Sequence, residues 1–251
     1  MPQITYDLMD NRADKKINVG VIFIHGAAGC SQVWKNQLRG LPTKVIAVNL
    51  PCHFSSEGPE SPSMETYVES IYELITKLEL DKVILGGHSM GGAIALSYYL
   101  RYPSKVHGLI LIGTGARLRV LPVILDLTQK NYTQFIKMMD NAGFHKETCK
   151  NNKELVKEVA KNMAQIAPHI AFCDFSICNQ FDIMERLGEI SVPTLIICGD
   201  DDKLTPLKYS KYLQEYIKDS TLHIVKEAGH LVMLEKGEEV NTLIKSFIKE
   251  I

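Results

Sequence analysis

The chain has 251 residues, 45% of them hydrophobic and 23% charged, with a formal net charge of -1. Lys and Glu are interspersed rather than blocked, which describes an ordinary globular chain and gives no electrostatic footprint for nucleic acid or an anionic membrane surface. One core of this size buries roughly three quarters of the unfolded surface, so a single domain over 1–251 is expected, with no need of staples.

The N-terminal stretch "MPQITYDLMDNRADKK" has no apolar core of signal-peptide length, and no later run approaches the ~20 apolar residues of a membrane span. A cytoplasmic location is expected. The first strand-like runs are "VGVIFI" (Val19 to Ile24) and "KVIAVNL" (Lys44 to Leu50). A helix is predicted over Met64 to Leu78, where Ile71, Leu74, Ile75 and Leu78 fall at helical spacing. "KVILGG" (Lys82 to Gly87), a helix over Met90 to Tyr102, and "VHGLILIG" (Val106 to Gly113) continue the alternation.

From about Thr114 to Leu187 the pattern changes. No strand-like run occurs, and "PVILDLTQKNYTQFIKMMD", "NKELVKEVAKNMAQI" and "PHIAFCDFSICNQF" all have helical character. This predicts a helical lid inserted at 114–187. The strands resume with "PTLIICG" (Pro193 to Gly199) and "TLHIV" (Thr221 to Val225), each followed by a helix, over Pro206 to Lys218 and Glu238 to Ile251. Continuous Val, Ile and Leu runs suit strands covered on both faces, and alternating βα units imply an α/β fold with a mostly parallel central sheet and helices on both sides.

At the end of "KVIL" stands "GGHSMGG". In open α/β sheets a sharp strand-to-helix turn presents its central side chain to the crevice beyond the strand ends. "Gly87-His88-Ser89-Met90-Gly91" fits G-x-S-x-G, in which small residues two before and two after the serine make room for the bend. Ser89 is the candidate nucleophile. Such a serine needs a base and an acid on later strand ends, in the order Ser, Asp or Glu, His. "Asp200-Asp201-Asp202-Lys203" follows the strand "PTLIICG", and "Lys226-Glu227-Ala228-Gly229-His230" follows "TLHIV". His230 is the candidate base, and spacing alone leaves Asp200, Asp201 and Asp202 open.

An oxyanion needs backbone donors. "His25-Gly26-Ala27-Ala28-Gly29", after "VGVIFI", supplies a small loop, and the N-H groups of Ala27 and Met90 are the candidate donors. His25, directly before Gly26, suits a bracing role. "GAAG" lacks the downstream Gly-Lys-Ser/Thr of a phosphate loop, and "Gly113-Thr114-Gly115" lacks the third glycine of a dinucleotide fingerprint. Six scattered cysteines, Cys30, Cys52, Cys149, Cys173, Cys178 and Cys198, form no CxxC pair or Cys/His cluster. No metal and no organic cofactor is implied.

These motifs resemble the α/β-hydrolase family, in particular its compact esterase, lactonase and carbon-carbon-bond hydrolase branch. The resemblance covers nearly the whole chain and rests on "HGAAGCSQVWKNQ", "NLPCHFSS", "GGHSMGG", "CGDDDKLTP" and "EAGH". It implies that the acid lies three positions after a glycine and four before a proline, which from Gly199 and Pro206 selects Asp202. Where relatives commonly read "DLPGHGxS", this chain has Asn49, Cys52 and Phe54, so the shape of that loop is an open question. A serine elbow also sets the chain apart, by resemblance, from the dehalogenase and epoxide-hydrolase branches.

The function expected is a cofactor-independent serine hydrolase of small to medium carboxylic esters, its partner a small-molecule ester. The same triad also serves enol-lactonases and carbon-carbon-bond hydrolases, and a slow-turnover ligand sensor is the alternative from another class. Substrate choice is expected in the lid, with Val123, Ile124, Leu127, Phe135, Ile136 and Met139 as candidate cover for an acyl or aromatic group and Met138, Met163 and Met184 as adaptable walls. Arg117 and Arg119, at the start of the lid, are candidates either for ordinary salt bridges or for an anionic substrate tail.

Overall fold

The computed structural model describes residues 3–12 and 19–251; residues 1–2 and 13–18, part of the N-terminal stretch read for a leader, lie outside the described residues. Among the described residues seven strands form one sheet: β1 (Tyr6–Asp10), β2 (Val19–Ile24), β3 (Lys44–Val48), β4 (Lys82–His88), β5 (Val106–Ile112), β6 (Thr194–Gly199) and β7 (Ser220–Val225), in the order β1-β3-β2-β4-β5-β6-β7. Only β1 runs antiparallel to its neighbour. Strand β1 carries no clear signal in the sequence, because "YDLMD" is a short edge strand whose apolar residues are broken up by Asp7 and Asp10, with Leu8 and Met9 exposed.

The helices between and around the strands are α1 (Lys35–Gly40), α2 (Met64–Lys77), α3 (Met90–Arg101), α4 (Pro122–Lys130), α5 (Tyr132–Gly143), α6 (Lys146–Asn151), α7 (Lys153–Met163), α8 (Pro168–Gln180), α9 (Lys208–Tyr216), α10 (Val232–Glu235) and α11 (Gly237–Glu250). Period-two alternation divides the strand residues between two cores. Ile22, Ile24, Leu85, Leu109 and Leu111 face one cluster with α2 and α3, whereas Val21, Phe23, Ile84, Ile110 and Ile112 face the other with Leu38 of α1 and Ile244 of α11. Helix α2 shows why a local pattern suffices. Ser63 caps it in a reciprocal box with Thr66, and Tyr67, Val68, Ile71, Leu74 and Ile75 are buried along one stripe.

Five helices, α4 to α8, occupy the span between β5 and β6. The predicted helix Pro122 to Asp140 is broken at Asn131, whose side chain accepts from Gln134 N-H and starts α5. An Asn that caps a new helix ends the old one. Among the described residues, no helix is long and apolar enough to cross a membrane.

The chain order reverses between β2 and β4, β3 lying to one side of β2 and β4 to the other. A crevice opens beyond the carboxyl ends of strands at such a point. The loops following β2 and β4 both lead into it, carrying Gly26 and Ser89.

Candidate active site

Ser89 lies between β4 and α3 with φ 53° and ψ -117°. A non-glycine residue held there costs of order 1–3 kcal/mol and persists only where its surroundings over-determine it. Here they do. Its N-H donates to the Ile112 carbonyl at 3.0 Å, and its own carbonyl accepts from Gly92 N-H at 3.0 Å and the Thr114 hydroxyl at 2.7 Å. A Cβ at Gly87 would collide with the Gly91 carbonyl, and one at Gly91 with that of Ile24, so both flanking positions require glycine. The Ser89 side chain makes no capping hydrogen bond to α3.

Of the three consecutive aspartates, Asp202 is the one joined to His230, its Oδ2 lying 2.9 Å from the imidazole Nδ1. Asp200 and Asp201 instead pair with Lys226 and Lys203 at 3.5 and 3.4 Å. Burial alone would raise the Asp202 carboxyl, but the His230 ring, its hydrogen bond and the Thr205 donors outweigh this and hold it below its ordinary value. Oδ1 accepts from the N-H groups of Leu204 (2.9 Å) and Thr205 (2.8 Å), and Oδ2 also accepts the Thr205 hydroxyl at 2.8 Å. An ionised carboxylate only accepts, so the proton between it and His230 belongs to Nδ1, which leaves Nε2 as the basic nitrogen. The sequence reading missed Thr205. Its signal was a hydroxyl three residues after an aspartate in a turn, where such side chains bond locally.

The loop after β2 abuts the elbow: a Cβ on Gly26 would lie 3.2 Å from Ser89 Cβ. His25 braces this loop, as expected. Its Nε2 accepts Leu50 N-H at 3.1 Å and its Nδ1 donates to the Gly26 carbonyl at 2.8 Å; burial, then the neighbouring His53, lowers its pKa to about 3 and keeps it neutral. Ala28 is left-handed, with φ 52°. Among the described residues the N-H groups of Ala27 and Met90 have no partner within the chain. That of Met90 is the first of α3, one of the four donors every helix leaves unpaired, at its positive end.

Ser89, His230, Ala27 and Ala28 line one cleft. Among the described residues no hydrogen bond joins the Ser89 hydroxyl to His230; nucleophile and base often close that bond only around substrate. The cleft walls are mostly apolar, with Leu118, Val120, Ile124, Met139, Met163 and Phe175 from the helical segment and its entry. Of the residues expected to cover a substrate, Ile124, Met139 and Met163 do face the cleft, while Val123 is 46% exposed and Phe135 packs within the helical segment. Arg119 lines the cleft, whereas Arg117 pairs with Asp182 at 3.5 Å. Asp140 also faces the cleft, with Oδ1 buried and without a partner, and burial raises its carboxyl pKa.

Polar contacts fasten the helical segment to the residues around the cleft. The Glu235 carboxylate accepts Gly229 N-H at 2.7 Å and His145 N-H at 2.8 Å, so it ties the His230 loop to the start of α6. Lys35 pairs with Glu158 of α7. Asp174 of α8 accepts the N-H of Ala28 at 2.8 Å.

The loop after β3 answers the question raised by Cys52 and Phe54. Both adopt left-handed backbone, φ 67° and 52°, the conformation that favours glycine. Asn49, where relatives commonly carry an acid, accepts Ser31 N-H at 2.8 Å.

A family model described as alpha/beta hydrolase fold matches residues 20–237. The structure titled as a thermophilic esterase superposes with a TM-score of 0.85 at 32% identity, over 99% of this chain and 98% of that one. A curated 2-hydroxy-6-oxononadienedioate/2-hydroxy-6-oxononatrienedioate hydrolase 1 of Pseudomonas putida is 27% identical over 91% of this chain and 87% of its own length. Mouse Protein ABHD8 is also 27% identical over 92% of this chain, which spans 55% of that protein's length. With the sheet order and the crevice already described, the match over most of its length shows that the chain belongs to the alpha/beta hydrolase fold family.

Proposed function

We propose that the chain is a serine hydrolase of small to medium carboxylic esters, with Ser89 as nucleophile, His230 as base, Asp202 as the acid that orients it, and the N-H groups of Ala27 and Met90 as the oxyanion hole. The observation that carries this reading is the Asp202–His230 hydrogen bond at 2.9 Å, set beside a strained serine elbow in a mostly apolar cleft.

In the first half-reaction the Ser89 oxygen attacks the ester carbonyl carbon and its proton passes to His230 Nε2. The carbonyl oxygen becomes an oxyanion between the Ala27 and Met90 donors. Collapse breaks the bond to the alcohol oxygen, which leaves with the proton from His230. A water molecule, deprotonated by the same nitrogen, then attacks the acyl-enzyme, and the acid departs as Ser89 regains its proton. Every group needed belongs to the chain. The helices α4 to α8 act as a lid whose Ile124, Met139 and Met163 meet the acyl group. The 32% identity to a thermophilic esterase supports the ester as substrate class.

A p-nitrophenyl ester series from acetate to palmitate, assayed with wild type and Ser89→Ala, tests the reading. One chain-length optimum, lost by ~10³-fold or more in the variant, is the expected result. Turnover that survives in Ser89→Ala removes the serine mechanism, and inertness of wild type towards every ester removes the ester and moves the search to lactones and carbon-carbon bonds.

A further inference from the structure

Asp174 of α8 is fully buried, yet no part of the mechanism above uses it. Three donors converge on its carboxylate. Ala28 N-H donates to Oδ2 at 2.8 Å, His53 Nε2 to Oδ2 at 2.9 Å, and the Tyr67 hydroxyl to Oδ1 at 2.5 Å. The His53 Nδ1 faces the Pro51 carbonyl at 2.9 Å, so both ring nitrogens meet acceptors and both carry protons. Burial opposes that charge, but Asp174 outweighs it and raises the His53 pKa. The neighbouring His25 ring, centred 4.8 Å away, stays neutral. The result is a buried ion pair joining a helix of the lid to the loop after β3.

We propose that Asp174 is a positioning residue for the oxyanion hole, and that the hole is therefore assembled only when the lid is docked. The inference rests on the hydrolase reading above. Ala28 has φ 52°, a conformation that L-residues leave unless held. Asp174 holds it through the Ala28 N-H, which fixes the Ala27–Ala28 peptide and, through it, the direction of the Ala27 N-H one residue earlier. On the other side the Gly26 carbonyl accepts Gly29 N-H at 3.1 Å and His25 Nδ1 at 2.8 Å, so His25 anchors the start of the loop while the Asp174 carboxylate holds the Ala28 N-H itself. Small displacements of such donors are costly, since stabilisation depends on where the oxyanion forms.

The test is steady-state kinetics of Asp174→Leu and His53→Gln on the best p-nitrophenyl ester, with melting temperature and affinity for an alkyl boronic acid, a tetrahedral analogue. Leucine keeps the branching and removes both acceptors, so Asp174→Leu is expected to lower kcat by about 10- to 100-fold with KM within about twofold, and to weaken the boronic acid by a similar factor. His53→Gln keeps the Ala28 bond but breaks the ion pair, and is expected to lose melting temperature with a kcat loss under about threefold. If both variants lose kcat in proportion to melting temperature, or if folded Asp174→Leu keeps wild-type kcat, the positioning role is overturned and Asp174 serves stability alone. Should Asp174→Leu fail to fold, amide exchange in wild type decides: a protected Ala28 N-H supports the proposal, and rapid exchange in the native state overturns it. A wild type that turns over no ester instead overturns the hydrolase reading beneath it.

Discussion

His88 donates from Nε2 to the backbone carbonyl of His230 at 3.0 Å, with the two rings 4.4 Å apart. A carbonyl only accepts, so Nε2 of His88 carries a proton, and burial, which lowers the ring's pKa well below its ordinary value, leaves Nδ1 bare. The residue before Ser89 thus fixes the backbone of His230. His88→Leu leaves that buried carbonyl unpaired, a loss of about 1–2 kcal/mol. The expected outcome is a kcat lowered about 10-fold with KM little changed, read from the same ester kinetics.

Thr205 stands between Asp202 and His230, its hydroxyl 2.8 Å from Asp202 Oδ2 and 3.2 Å from His230 Nδ1. Thr205→Val keeps the shape and removes the donor. We expect kcat to fall about 5- to 20-fold. Because that hydroxyl helps hold the Asp202 pKa down, the variant carboxylate protonates at higher pH, and activity on the acid side is lost earlier. A pH profile of kcat/KM beside wild type checks both.

Acid should destabilise the fold through its buried histidines. Burial, then the charge of His53, lowers the His25 pKa to about 3, and burial, then His230, lowers that of His88 well below its ordinary value. As the pH falls below about 6.5, the unfolded chain binds protons at these rings that the folded chain refuses, so stability drops by about 1.4 kcal/mol per pH unit for each until the folded pKa is reached. The depressed Asp202 adds a loss in the same direction at lower pH, as the pH falls through its folded pKa. His53 has the opposite sign: its raised pKa gives a contribution complete below about 6.5 and lost as the pH rises through the folded value. Melting temperature should therefore peak near neutrality. His88→Gln should show a shallower acid limb by about one proton, and an unchanged slope would contradict the assignment.

Phe54, 38% exposed, occupies left-handed backbone with φ 52°. Relief of roughly 1–2 kcal/mol of strain, less the extra freedom glycine gains when unfolded, leaves Phe54→Gly about 0.5–1 kcal/mol more stable. That corresponds to a rise of about 1–4 °C in melting temperature. A fall would show that the ring contributes more than its backbone costs.

How much was legible depends on the distance over which each signal acts. Ser89 could be read because its neighbours Gly87 and Gly91 are dictated by the same bend. The buried strands announce themselves as apolar runs, since both faces of the sheet are covered. Edge strand β1 does not, because its Leu8 and Met9 meet solvent and its other residues are only partly covered. Spacing alone could not separate Asp202 from Asp200 and Asp201; the family resemblance selected it, and its contact with His230, 28 residues away, is the physical distinction. The Asp174 cluster was invisible for the same reason at greater range, its partners lying 107, 121 and 146 residues away. A buried carboxylate carries no local mark of its future donors.

The backbone of Ser89 sets two selective demands against each other. Its hydroxyl caps no helix, and its φ of 53° is one that glycine would occupy with less strain. Ser89→Gly should therefore fold at least as well as wild type while lacking the hydroxyl on which the proposed mechanism depends. Selection for stability alone would favour glycine here, so under that mechanism the serine stands against the preference of its own backbone.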